Sequence, residues 1–340
     1  MEHSLNPSQY HEYVLKSLQP KLAYHGQPFE QWQAELSRAF MQQFGWDPNR
    51  TREPLNVHEL EFEDHPEYTR RKLVFTSEPY ADVLCHLLIP KGVTKPVPAF
   101  ICLQGHNTGM HLSIGQSKFP GDEEYFETDY DFAVQAARQG YVALAVEQRA
   151  FGERSEALQE MRAQNGCEDA VLHALLLGRP FACERAWDVS RAIDLLETIP
   201  EVRQDRVCCM GSSGGGTVTF YAACVDTRIW LAMCACSFCT YADSIFRIAH
   251  CPDNYIPGIL TLAEVSDLTG LIAPRRLLIV NGQDDPIFPI AGVRCAFESA
   301  QRVFQAAGAA DNVELVIGEG GHRFYAAPSW PIVQRWLQTQ

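Results

Sequence analysis

Arg206-Val207-Cys208-Cys209-Met210-Gly211-Ser212-Ser213-Gly214-Gly215-Gly216 is the stretch on which the reading of this chain turns. An apolar run ends in Gly-x-Ser-x-Gly, and a helical pattern follows through Thr217, Val218, Phe220 and Tyr221. Strand, tight serine-bearing turn and departing helix together form a nucleophile elbow. The spacing has a steric cause. A serine presented on a strained turn needs small residues two before and two after it, where side chains would collide. Gly211 and Gly215 stand at those positions for Ser213. Ser212 is the weaker candidate, because Met210 would then fill the tight position.

A serine hydroxyl attacks a carbonyl only when a base takes its proton and an acid orients that base. After an elbow serine these partners follow in the order acid, then histidine. Two histidines lie downstream, His250 and His322. His250 falls in Ile248-Ala249-His250-Cys251-Pro252, read as a cap or loop. His322 falls in the glycine-rich Gly318-Glu319-Gly320-Gly321-His322-Arg323-Phe324, directly after the last predicted strand, where open α/β sheets place functional residues. The acid is expected after the strand Arg276-Leu277-Leu278-Ile279-Val280-Asn281, within Gly282-Gln283-Asp284-Asp285-Pro286. Asp285 is preferred over Asp284, because a residue before proline is held extended and its side chain is pinned. The oxyanion donors are expected to be the Gly214 amide and an amide of the loop after strand 97–103, at His106 or Asn107.

Composition narrows the partners. The chain has 340 residues, net charge −14 and 46% hydrophobic residues, with no basic block. Nucleic acid and anionic membrane surfaces are therefore not expected partners. The first residues are polar, with no basic start before an apolar core, and no run is long enough to span a bilayer. Reduced thiols in the cytoplasm are the expectation for the 12 cysteines, several of which sit inside apolar runs. Cys234-x-Cys236-x-x-Cys239 with His250-Cys251 lacks matched metal knuckles, and Cys234 and Cys236 are expected to share one strand face, so no metal site is expected. His106 and His111 lack an evident third ligand. Cys167 is a candidate reactive thiol to which no histidine motif points. Arg149 and Glu153 read as an internal ion pair that fixes their loop.

The remaining periodicity predicts an α/β protein. Helices are expected over 11–19 and 28–44, the second with Phe29, Trp32, Leu36, Phe40 and Phe44 on one face. Alternation near 57–62, 72–76 and 83–89 predicts early antiparallel strands. Buried strands are expected at 97–103, 141–147, 229–236, 276–281 and 313–317, with helices at 129–139, 184–196, 292–307 and 330–337 between and after them, and a partly helical connection over 154–180. Strands alternating with helices imply a mostly parallel central sheet with helices on both faces. The division expected is an N-terminal helical extension, 1–54, and a catalytic domain, 55–340. The extension reads either as a cap on the core or as an arm for homo-oligomerisation.

Gly-Ser-Ser-Gly-Gly, Gly-Gln-Asp-Asp-Pro and Gly-Gly-His-Arg-Phe, in that order, resemble the α/β-hydrolase superfamily, and more narrowly the acetyl xylan esterase and dienelactone-hydrolase-like esterases. Leu103-Gln104-Gly105-His106 is similar to that family's His-Gly oxyanion strand end, with Gln104 where histidine is usual. Glu147-Gln148-Arg149-Ala150-Phe151-Gly152-Glu153 resembles its Asp-x-Arg-Gly-x-Gly-x-Ser loop, with Glu147 for Asp and Ala150 for Gly. The resemblance covers about residues 70–325. It implies the α/β-hydrolase fold and a carboxylic ester hydrolase working through Ser213, His322 and Asp285 on a small-molecule ester, with short acyl groups and no metal or organic cofactor. A peptidase or amidase of the prolyl-oligopeptidase-like branch is the nearest rival, though the N-terminal extension is too short for a β-propeller. An inactive hydrolase fold used for binding is a rival of another class, against which the intact Ser213, Asp285 and His322 speak. Specificity is expected to reside in 108–128, 154–180 and 237–270.

Overall fold

A nine-stranded sheet organises the chain in a computed structural model that describes residues 5–155 and 167–338. Its strands are β1 (His58–Asp64), β2 (Tyr68–Glu78), β3 (Ala81–Pro90), β4 (Val97–Leu103), β5 (Val142–Val146), β6 (Val202–Ser212), β7 (Ile229–Ala235), β8 (Arg276–Gly282) and β9 (Val313–Gly318). They lie in the order β1-β2-β3-β5-β4-β6-β7-β8-β9. The β1–β2, β2–β3 and β3–β5 pairs are antiparallel, and every pair from β5 to β9 is parallel. The expected mostly parallel sheet with antiparallel early strands is what forms. β5 is buried at every position and β4, β7 and β8 at nearly every one, as near-continuous apolar runs require. β1, HELEFED, lies at the sheet edge with charged side chains in water, which discourages edge-to-edge pairing.

The two-residue period of the strands sorts the core into two layers. Ala99, Ile101 and Leu103 of β4 join Val207 and Cys209 of β6 on the face covered by helices Phe181–Leu196, Gly214–Val225 and Ile290–Ala306. Phe100, Cys102, Cys208 and Met210 point the other way, toward helices Phe132–Arg138 and Ala326–Gln338. Cys234 and Cys236 depart from the expected shared face. β7 ends at Ala235, and Cys236 has φ +47°, so the alternation stops before it.

Helix Phe29–Phe44 buries Trp32, Leu36, Phe40 and Phe44, the apolar stripe read from its spacing, while Phe29 is only partly covered. Gly45 ends it in the left-handed region at φ +74°, where glycine bears no Cβ penalty. Phe40 and Phe44 lie 6.1 and 5.4 Å from the Tyr221 ring, on the helix that leaves the elbow. The segment set apart as 1–54 thus shares one core with the rest, and the apolar face of its second helix is used within the chain. The first helix, Pro7–Ser17, has no buried residue and is tied down by the Glu12–Arg247 pair at 2.9 Å. Among the described residues no helix is long and apolar enough to cross a membrane. The part of the 154–180 connection over 156–166 lies outside the described residues; beyond it a helix runs Glu168–Leu176.

The spacing of Ala186, Val189, Ile193 and Leu196 predicts an amphipathic helix over 184–196 with one buried face; helix Phe181–Leu196 instead buries almost its whole circumference, Arg185, Asp188 and Arg191 included. Its charges are matched internally. The Arg149 guanidinium donates to Asp188 at 2.8 Å, Glu184 at 3.1 Å and Glu78 at 2.5 Å. The expected Arg149–Glu153 pair is therefore replaced: Glu153 turns outward to Lys72 at 3.0 Å and Lys118 at 3.2 Å. Because removing one partner of a buried ionic group strands the others, Arg149→Ala is expected to cost about 3–5 kcal/mol. Urea denaturation checks this; a loss below about 1 kcal/mol would show the carboxylates to be neutral or hydrated instead.

Candidate active site

The elbow closes at the C-terminal end of β6. Ser213 sits at φ +55°, ψ −122°, between the strand and helix Gly214–Val225. A non-glycine residue held there carries about 1–3 kcal/mol of backbone strain, which persists only because the surroundings over-determine it. The Ser213 amide donates to the Ala235 carbonyl at 2.8 Å, and the Ser213 carbonyl accepts from Thr217 at 2.9 Å. A Cβ on Gly211 would run into the Gly215 backbone, and one on Gly215 into the Leu103 carbonyl. The small residues read from the spacing are thus forced by backbone contact on both sides of the turn. The two serines also part. Ser212 is fully buried, and its Oγ accepts from the Tyr130 hydroxyl at 3.2 Å. Ser213 is half-buried.

Asp285 and His322 arrive from the ends of β8 and β9. Gly282 must be glycine for this, since a Cβ would strike the Gly320 and Gly321 carbonyls of the His322 loop. His322 Nδ1 lies 2.8 Å from Asp285 Oδ2. Oδ1 of the same carboxylate accepts from the amides of Ile287 at 2.8 Å and Phe288 at 3.0 Å, the closed turn that Pro286 favours. Burial works against the Asp285 charge, but the His322 hydrogen bond and these amides outweigh it and hold the carboxyl below its usual range. Asp284 is exposed, and its amide is spent on the Gly320 carbonyl at 2.8 Å. The His322 ring stacks on Phe288, with centroids 5.9 Å apart at 15°. His250 lies on Phe288 as well, but its Nε2 meets Ser244 Oγ at 3.0 Å.

Elbow and acid–base pair are connected through Cys236, the residue after the carbonyl that holds the Ser213 amide. Its sulfur and the ligating atoms of Asp285 and His322 lie within 4.8 Å of one another. Burial pushes the Cys236 thiol up, and it donates to the Arg323 carbonyl at 3.1 Å.

On the other side of the elbow stands the loop after β4. A Cβ on Gly214 would lie 2.9 Å from His106 Nδ1, so the His106 ring rests against the first residue of the elbow helix. His106 Nε2 is 3.0 Å from Asp253 Oδ2, and Asp253 in turn accepts from Arg185 at 2.5 Å. Burial pulls the His106 pKa down, yet its bonds to Asp253 and Cys167 raise it to about 9. His111 is turned elsewhere, 2.7 Å from Asp122, so the two histidines do not converge. Asn107 Oδ1 accepts from the Gly109 amide at 3.1 Å. Two of the family departures, Gln104 and Glu147, prove to be partners: the Gln104 amide donates to Glu147 Oε1, while Met110 and Glu153 amides hold the same carboxylate at 3.1 and 3.2 Å. Burial pushes Glu147 up to about 7.

A cavity of about 620 Å³ opens beside this loop, lined among others by His106, Asn107, Phe151, Cys167, His250 and Cys251. Residues of the 154–180 and 237–270 segments line this cavity and, among the described residues, none of 108–128 does; Phe238 and Tyr241 of the 237–270 segment are core residues, buried with 1% and 5% exposure. Asp253, Arg185 and Tyr130 had no sequence signal; each acts through a partner at least 68 residues away.

A parallel-centred sheet with a serine elbow, then an acid after β8 and a histidine after β9, defines an α/β-hydrolase. A family model described as "Abhydrolase family" matches residues 9–316, and the chain belongs to that family. YtaP of Bacillus subtilis (strain 168), which carries the name of a hydrolase, is 26% identical over 299 residues, covering 84% of this chain and 94% of that protein. Among solved structures, a Bacteroides fragilis NCTC 9343 protein named as an acetyl xylan esterase aligns with TM-score 0.78 at 19% identity, over 93% of this chain and 83% of the other. A glucuronoyl esterase from Solibacter usitatus aligns with TM-score 0.65 at 17% identity, over 90% of each chain. Acetyl xylan esterase 1 from Thermoanaerobacterium sp. JW/SL YS485 aligns with TM-score 0.58 at 16% identity, over 99% of each. At these identities the likeness to the solved structures is one of fold.

Proposed function

We propose that this protein hydrolyses carboxylic esters of short acyl groups through a Ser213–His322–Asp285 triad and an acyl-enzyme. The observation that carries the reading is the 2.8 Å hydrogen bond between His322 Nδ1 and a buried Asp285, which follow β9 and β8, three and two strands along the sheet from the strand that ends in the strained serine elbow. With its Nδ1–H donating a hydrogen bond to the Asp285 carboxylate, His322 presents a basic Nε2. Ser213 Oγ attacks the ester carbonyl carbon while that Nε2 accepts the hydroxyl proton. The oxyanion formed is held by the Gly214 amide and an amide of the His106–Asn107 loop, donors of a kind worth about 10²–10³ in rate. Collapse of the tetrahedral intermediate breaks the bond to the alkoxide, which takes the Nε2 proton and leaves as alcohol. Water, deprotonated by His322, then adds to the acyl carbon, and release of the acid restores Ser213.

The short-acyl preference is supported by the names of the acetyl xylan esterase structures that share the fold. A series of p-nitrophenyl esters from acetate to decanoate tests both parts. kcat/KM is expected to be highest for acetate or propionate and to fall by at least about tenfold toward decanoate, the size of a binding difference of roughly 1.4 kcal/mol. A profile rising with chain length would overturn the acyl preference, and hydrolysis of none of the esters would overturn the activity.

A further inference from the structure

Two thiols, an imidazole and a carboxylate meet at the wall of the cavity beside the elbow. His106 comes from the loop after β4, Cys167 precedes helix Glu168–Leu176, and Cys251 precedes the turn Pro252–Asn254, which contains Asp253. His106 Nε2, both Sγ atoms and an Asp253 oxygen all lie within 4.8 Å of one another. Within the group, His106 Nε2 is 3.0 Å from Asp253 Oδ2 and 3.9 Å from Cys167 Sγ, and the two sulfurs are 2.6 Å apart.

We propose that His106, Cys167, Cys251 and Asp253 form a zinc site that clamps three chain segments together at the cavity wall. Four donors of N, S and O type are the full complement of a closed tetrahedral zinc site. Bond lengths of about 2.0–2.1 Å to nitrogen and oxygen place those two ligands roughly 3.3 Å apart around a tetrahedral ion, close to the His106–Asp253 spacing. Zinc–sulfur bonds of about 2.3 Å require the sulfurs to stand about 3.8 Å apart, so the thiols must part by a little over 1 Å, a small χ1 adjustment for each. Charge supports the assignment. Two thiolates and a carboxylate leave one net negative charge against a divalent ion, and the Arg185 guanidinium, 2.5 Å from Asp253 Oδ2, supplies the balancing positive charge. Asn254 Nδ2 holds Asp253 Oδ1 at 2.9 Å, which leaves Oδ2 aimed at the other donors. Such outer hydrogen bonds orient ligating groups. Zinc on Nε2 also leaves the His106 proton on Nδ1, the nitrogen that faces Gly214.

The test reads metal and not turnover, so it is independent of the ester-hydrolysis reading. Full-length protein is reduced, loaded with zinc, desalted and analysed by elemental mass spectrometry, and the loading is repeated with cobalt. One equivalent of zinc per chain is expected, with a thiolate-to-cobalt charge-transfer band in the near ultraviolet. Cys167→Ser is expected to weaken zinc binding more than about 100-fold, beyond the effect usual for outer-shell changes. Cys295→Ser, at the exposed cysteine, is expected to leave it unchanged. Should the Cys167 variant fail to fold, alkylation of the wild-type protein decides: zinc must protect Cys167 and Cys251 from iodoacetamide until a chelator is added. Substoichiometric zinc, a cobalt spectrum without the thiolate band, absence of protection, or a Cys167–Cys251 disulfide that forms under loading conditions in place of metal binding would each overturn the site.

Discussion

Ser213→Ala is expected to lower kcat on short-acyl esters by about 10⁶ and to abolish covalent labelling by a fluorophosphonate probe. The size of the effect follows from the loss of the only atom that would form the acyl bond, with the oxyanion donors left in place. Alanine imposes the same Cβ on the φ +55° turn as serine, so the variant is expected to unfold within about 0.5 kcal/mol of the parent. The neighbouring Ser212→Ala makes the comparison specific. Ser212 Oγ is buried against Tyr130, so its loss removes one hydrogen bond, costing on the order of 1 kcal/mol of stability, and is expected to leave labelling intact. Full labelling of the Ser213 variant, or loss of labelling only in the Ser212 variant, would reassign the nucleophile.

Asp285→Asn is expected to cost about 10⁴ in kcat, and the hydrogen bonds around the carboxylate explain why the loss is so large. Oδ1 accepts from two backbone amides, Ile287 and Phe288, and only an oxygen can sit there. The asparagine nitrogen is therefore forced into the Oδ2 position, where it can only donate to His322 Nδ1. That traps the imidazole with its proton on Nε2, toward Ser213, and the base is lost although the ring has not moved. Asp284→Asn changes an exposed side chain and is expected to alter kcat less than about twofold. Equal losses in the two variants, or an Asp285 variant within tenfold of the parent, would show that the carboxylate does not set the tautomer.

Much of this was legible before any fold was known. The elbow, the parallel strands from 97 onward and the order serine, aspartate, histidine are local patterns. A two-residue apolar period, a glycine on each side of a serine and a proline after an aspartate are imposed by backbone geometry within a few residues, so they are written into spacing. The preference for Ser213 over Ser212 rests on Gly211 and Gly215, and a Cβ at either position would clash with backbone. Helix Phe29–Phe44 was equally readable, because its apolar stripe follows the helical period.

Charge partners were not readable in this way. Arg149 was expected to hold Glu153, four residues on, and instead holds Glu78, Glu184 and Asp188, because a buried guanidinium takes whatever carboxylates the packed sheet and helix bring to it. The same cause made helix Phe181–Leu196 look one-sided, since its charged face is covered by oppositely charged groups from elsewhere in the chain. Cys167 lacked a histidine motif, yet His106 stands 3.9 Å from its sulfur, across 61 residues of sequence. By itself, then, the sequence determined the sheet, the elbow and the identity of the acid and base candidates, since each rests on short-range sterics. Which charges pair, which helix faces are buried and which thiols, imidazole and carboxylate meet were decided only by the tertiary structure, because long-range convergence leaves no period in the chain.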